Sequence, residues 1–240
     1  MIEDFRTLLA LDSASGSCSA AIWHDGDVLA SCHEVMERGQ SERLVPMIGE
    51  VMSMTHLDFS HIQAIAVTRG PGAFTGVRIG LATARALALA WDLPLLGVSS
   101  LEAAAAVVPE TVRQGRPIVV LLEAKRRDVY VQCFASDLTP LDNARTMMPE
   151  DLSGLLPAID VSGIVASGRD VIVTGDAAER LGGLLAVSDQ GVEVWTQESP
   201  TASIVAELAV FRPREDVSPL YLRPPDVTLP QKVFPPSGKV

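Results

Sequence analysis

Arg69-Gly70-Pro71-Gly72-Ala73-Phe74-Thr75-Gly76 joins an apolar, strand-like run (64–68) to a long helical pattern. A glycine-rich connection there can present backbone amides and the positive end of a helix dipole, which is chemistry that holds phosphate. It is not a P-loop, because no Lys-Ser or Lys-Thr follows the glycines, and Gly70, Gly72 and Gly76 have the wrong last interval for a dinucleotide fingerprint. The same residues can form a tight turn, with Pro71 fixing φ and Gly72 supplying the positive φ of a type II turn. Both readings stand, so Gly70, Gly72 and Gly76 are candidate binding residues. Phe74 reads as a core anchor. Asp12, which ends an apolar run (7–11), is the one acid the pattern singles out. It could orient a metal-bound water or cap the Ser-rich turn that follows.

Other chemistry finds less support. His24, His33, His56 and His61 are scattered, and the last two are spaced so that one helix face could not present both. No metal site is expected. Serines are frequent but no Gly-x-Ser-x-Gly elbow occurs. Cys18 lies in a strand without a basic neighbour to activate it. The three cysteines (Cys18, Cys32, Cys133) give neither a disulfide framework nor a zinc spacing, as expected of a chain in a reducing cytoplasm.

The elements that must position these residues alternate. A meander of three strands is expected at 7–11, 18–23 and 28–33, with Asp25-Gly26 turning the second hairpin. Ser41 can cap a helix through about His56, whose apolar face is Leu44, Met47, Ile48 and Val51, and Pro46 should disturb its first turn. The helix after the glycine loop runs to about Trp91. Gly76, Gly80, Ala84 and Ala88 recur along it at every fourth residue, a line without bulk that lets a sheet or helix approach closely. Short strands and helices continue from 95 to 211. Strands alternating with helices after a meander imply a mixed α/β fold of two lobes. The expected divisions are 1–98, 99–212 and a tail, 213–240, whose seven prolines argue for extended or disordered chain.

Composition narrows the function classes. The chain has 240 residues, 48% hydrophobic and 20% charged, and no apolar run long enough to span a membrane is expected. Its formal net charge is −11, which repels a phosphate backbone. Lys125-Arg126-Arg127 is the local exception, either a basic patch or a solvated turn between strands.

At this point the residues carry a resemblance. Leu11-Asp12-Ser13-Ala14, Cys18-Ser19-Ala20-Ala21, the twelve residues from Arg69 to Gly80 and Gly97-Val98-Ser99-Ser100-Leu101 are similar to the TsaB (YeaZ) family of tRNA threonylcarbamoyladenosine biosynthesis. Residues 123–130 and 219–223 resemble later family segments. The resemblance implies an actin- and Hsp70-like fold with two lobes, each a mixed sheet flanked by helices. It makes Arg69, Gly70, Pro71, Gly72, Phe74, Thr75, Gly76, Arg78 and Gly80 a family loop. It implies a scaffold subunit without its own cofactor or catalytic residues. The implied partners are a TsaD-like catalytic paralogue and a TsaE-like ATPase, a second copy of the chain replaces an absent paralogue, and tRNA is met only through the complex. The catalytic paralogue holds its metal with paired histidines, whereas the corresponding stretch here is Gln40-Ser41-Glu42-Arg43-Leu44. Leu44, Met47, Ile48, Val51, Leu81 and Arg85 are then expected at or near the partner interface. The rival readings are an ATP-binding phosphotransferase or ATPase of the same fold using Asp12 and the glycine loop, and, with less support, a glycoprotease-type metallopeptidase.

Overall fold

The computed structural model describes residues 5–124, 126–155, 171–185, 191–196, 199–211 and 217–223. Thr7–Asp12 (β1), Ser17–His24 (β2) and Asp27–Val35 (β3) form the expected meander. Its second hairpin turns on Asp25 and Gly26, both with positive φ. Ala64–Thr68 (β4) and Leu95–Val98 (β5) add to β1 in parallel, giving the order β3-β2-β1-β4-β5. The second sheet repeats this plan. Ile118–Glu123 (β6), Val129–Phe134 (β7) and Arg145–Met147 (β8) make an antiparallel meander, and Val171–Thr174 (β9) and Val192–Val194 (β10) extend β6 in parallel. Its order, β10-β9-β6-β7-β8, is the first sheet's read backwards. β8, at three residues, is too short to alternate visibly, and the sequence reading missed it.

Strand alternation decides which helix covers which face. Leu9 and Leu11 of β1 and Ile65 and Val67 of β4 point to Gln40–Thr55 (α1) and Phe74–Trp91 (α2). Leu8, Ala10, Ala64 and Ala66 point the other way, to Ala202–Ala209 (α6). That last helix therefore packs on the first sheet, and Ser19 accepts the Ala202 amide at 2.8 Å. The division at 212 does not follow the packing: α6 returns to the first lobe. Ser100–Ala106 (α3) packs its Leu101, Ala104 and Ala105 against Ile118 and Val120 of the second sheet. Glu110–Arg113 (α4) follows it. The other face of that sheet is covered by Ala178–Leu181 (α5) with Leu152, Leu155 and Leu185.

Two local expectations change. α1 begins at Gln40 behind Gly39, whose φ of 98° supplies the turn, so Ser41 is not the cap. Pro46 lies on the exposed side of α1, where the helix runs on past it. Within the expected tail, residues 217–223 are ordered against the body: Val217 is buried, and the Leu220 amide donates to the Arg69 carbonyl at 2.7 Å. The other residues of the expected tail lie outside the described residues, as do 156–170.

Candidate functional site

β1 delivers Asp12 to a cleft between the two sheets, where β1, β4 and the second lobe converge. Asp12, Thr68, Gly72 and Ser100 line it from one side, Leu122, Glu123 and Asp176 from the other. Asp12 is 2% exposed. Its Oδ1 accepts from the Thr68 hydroxyl and from the Ala14 amide at 3.2 Å, so it caps the turn after β1 as one of the two readings held. Its Oδ2 is buried without a hydrogen-bond partner, as is the Ser100 hydroxyl. Burial pushes the Asp12 carboxyl above its usual range, against the opposing pull of Thr68, the Ala14 amide, His33 and Ser15.

The glycine loop is pressed onto that same turn. Ala14 O accepts the Ala73 amide at 2.8 Å, and the Ser13 hydroxyl donates to Gly76 O at 2.9 Å. A β-carbon on Gly72 would lie 2.3 Å from Ala14 O, and one on Gly76 would lie 2.0 Å from Ser13 O. Gly80 meets the Ser13 hydroxyl in the same way, at 2.8 Å. The line of missing bulk along α2 therefore receives the β1–β2 turn. Positive φ belongs to Gly70 (93°) and not to Gly72, a correction to the type II reading, and the Gly70–Pro71 bond is cis. With the chain's own backbone seated in the loop, the cleft holds ≈ 70 Å³. Pockets that enclose a drug-sized ligand run to about 300 Å³ or more.

The remaining predicted residues separate. Leu44 and Met47 (0% exposed), Ile48 (4%), Val51 (0%) and Leu81 (3%) sit in the core between α1, α2 and the first sheet. They do not reach the surface of the chain, because the apolar stripe of an amphipathic helix is spent on its own sheet. Arg85 is at the surface and donates to Val217 O at 2.8 Å. Arg69 is bonded through its backbone to Val98 and Leu220. Pro71 is buried and Thr75 exposed. Phe74 is not a core anchor: it is 54% exposed, with the Arg78 guanidinium 3.3 Å from its ring centroid. Among the described residues, no three His, Cys, Asp or Glu side chains stand close enough together to hold a metal ion. Burial, with the Asp12 and Glu34 charges, raises the Cys18 thiol to about 11 against the opposing pull of Arg43. The sequence reading gave neither Glu123, which opens a family-like segment, nor Asp176 a place in the site. Asp176 Oδ1 accepts the Glu123 amide at 2.7 Å, a contact across 53 residues that no local pattern announces.

Two sheets of one connectivity, the second repeating the first, with a cleft lined by the turn after β1 and by the ends of β6 and β9, define a two-lobed actin-like fold. The comparisons narrow that class. A family profile described as "TsaD: tRNA N6-adenosine threonylcarbamoyltransferase" matches residues 33–152. TsaB of Haemophilus influenzae is 37% identical over 124 residues, 52% of each chain. TsaB of Escherichia coli is 44% identical over 94 residues, 39% of this chain and 40% of that one. YeaZ from Pseudomonas aeruginosa superposes with a TM-score of 0.75 at 27% identity, covering 90% of this chain and 100% of that one. The chain belongs to the TsaB (YeaZ) family. By sequence the match spans about half the length of the Haemophilus influenzae relative and 40% of the Escherichia coli one.

Proposed function

We propose that this chain is an accessory subunit of the machinery that makes N6-threonylcarbamoyladenosine in tRNA. In this reading it is non-catalytic, works in the cytoplasm and docks a TsaD-like paralogue. A TsaE-like ATPase joins that assembly, and a second copy of the chain takes the paralogue's place when it is missing.

The observation that carries the reading is the outer surface of α1 and α2. The two helices touch each other. Between them they expose Val45 (60%), Met54 (58%), Leu89 (86%) and Trp91 (49%), with Trp91 stacked on Phe59 at 5.2 Å. Large apolar side chains this exposed on adjacent helices are a docking signature. The predicted interface thus moves from the buried stripe to its opposite side, while Arg85 stays near it. The filled glycine loop supports the non-catalytic part, since the Ala73 amide donates to the chain's own turn and that turn lies against Gly72 and Gly76.

Co-expression with the paralogue followed by sizing tests the reading. The wild-type chain should coelute with it, while Val45→Arg and Leu89→Arg should not. Coelution of both variants at wild-type yield refutes this docking face. A second reading, an ATP-binding phosphotransferase, draws on the unpartnered Asp12 Oδ2 in the cleft. Calorimetry with ATP and magnesium separates the two, because micromolar binding by the isolated chain favours the enzyme.

A further inference from the structure

A second cluster lies at the opposite end of α2 from Leu89 and Trp91. Arg78 has its guanidinium over the Phe74 ring and donates from Nε to the Tyr221 hydroxyl at 3.0 Å. The two rings are 5.9 Å apart, and both are about half exposed. Two residues on from Tyr221, Arg223 pairs with Asp128 at the base of the β6–β7 turn. That turn carries Arg126 and Arg127, both exposed. Burial, then the nearby Arg126 charge, holds the Arg223 guanidinium below its ordinary pKa, so the two cations share one neighbourhood. In a chain of net charge −11, the segment 221–223 thus runs from the Phe74, Arg78 and Tyr221 cluster to the turn that carries Arg126 and Arg127.

An exposed guanidinium draws an anionic ligand, and Arg126 and Arg127 add such charge beside the Arg223–Asp128 pair. Exposed ring faces alternating with guanidinium groups suit a chain that offers phosphates and unstacked bases in turn. A protein partner could supply carboxylates but would leave the rings no regular stacking partner. We infer that Phe74, Arg78 and Tyr221, continued by Arg223, Arg126 and Arg127, form a docking strip for a single-stranded RNA segment. The inference deepens the tRNA-complex reading above and rests on it for the choice of RNA. Arg78 and Leu89 are eleven residues apart on one helix, or about 16 Å along its axis. The strip and the proposed paralogue face can therefore be tested apart.

The test is fluorescence anisotropy of the full chain with a short labelled single-stranded RNA, titrated upward from about 50 mM salt. The wild type should bind with a salt-dependent affinity. Arg126→Ala combined with Arg127→Ala should flatten the slope of log K against log salt by about 1.4, at about 0.7 per lost phosphate contact on a single strand. Phe74→Ala should weaken binding about ten-fold with the slope unchanged, as loss of one stacked base does. Thermal melting equal to wild type shows that the variants fold. No binding by the wild type, or variants that match it, overturns the strip. Variants that keep RNA affinity but lose coelution with the paralogue also overturn it, assigning the strip to protein docking. A wild-type chain that binds RNA through the strip yet never coelutes instead sinks the accessory-subunit reading and leaves the strip standing.

Discussion

Asp12 shows how one side chain serves the fold at a cost to itself. Its Oδ1 is fully used by Thr68 and the following turn, while its Oδ2 faces the cleft unpaired. Because burial raises its folded pKa, its contribution to stability is complete below the unfolded carboxylate range and is lost as pH rises through the folded value. Asp12→Asn keeps the accepting oxygen and removes the buried charge. Melting curves from pH 4 to 8 should show the variant losing less stability than wild type as pH rises, with a melting temperature about 3 °C higher at neutral pH. A pH dependence identical to wild type would contradict this account. Gly76 is a residue-scale constraint of the opposite sort. Gly76→Ala would set a methyl group against the Ser13 carbonyl. A loss of about 3 kcal/mol is expected, read as a melting temperature lower by about 10 °C.

α1 divides its residues cleanly between two tasks. Leu44, Met47, Ile48 and Val51 meet the sheet, whereas Val45, Gly49 and Ser53 line the outer side one turn apart. The division gives paired expectations. Ile48→Arg buries an unpaired charge in the core and should leave the chain aggregated or unfolded in a melting experiment. Val45→Arg is a surface change, worth about 0.5 kcal/mol or less, and should melt as wild type does while losing the paralogue. If both variants melt alike, the assignment of faces on α1 is wrong.

Across the molecule, the segment 217–223 ties separate parts together. Val217 lies in the core beside α2, its carbonyl accepts from Arg85, Leu220 is bonded to Arg69, and Arg223 reaches Asp128 of the second lobe. Ending the chain after Phe211 removes a buried valine worth about 2 kcal/mol and hydrogen bonds worth about 1 kcal/mol each. The truncated chain should melt about 10 °C lower in scanning calorimetry. An unchanged transition would mean the segment rests on the body without holding it.

By itself the sequence determined the local elements of the first lobe: the meander, the Asp25-Gly26 turn, the glycine loop between strand and helix, and the small-residue line down α2. Those features depend on φ preferences and on periodicities of two and 3.6, which residues a few positions apart already express. It also carried the family, through the run from Arg69 to Gly80. Only the tertiary structure decided where the last helix packs, that residues 217–223 return to the body, that Ser13 and Ala14 sit against the glycines, and which side of α1 is spent on the core. Each of these is a contact between residues far apart in the chain, chosen by competition among several faces for the same sheet, and no local pattern encodes the winner. The arginines at 78 and 223 were visible one by one, but only folding set Arg78 against Tyr221 and Arg223 against Asp128.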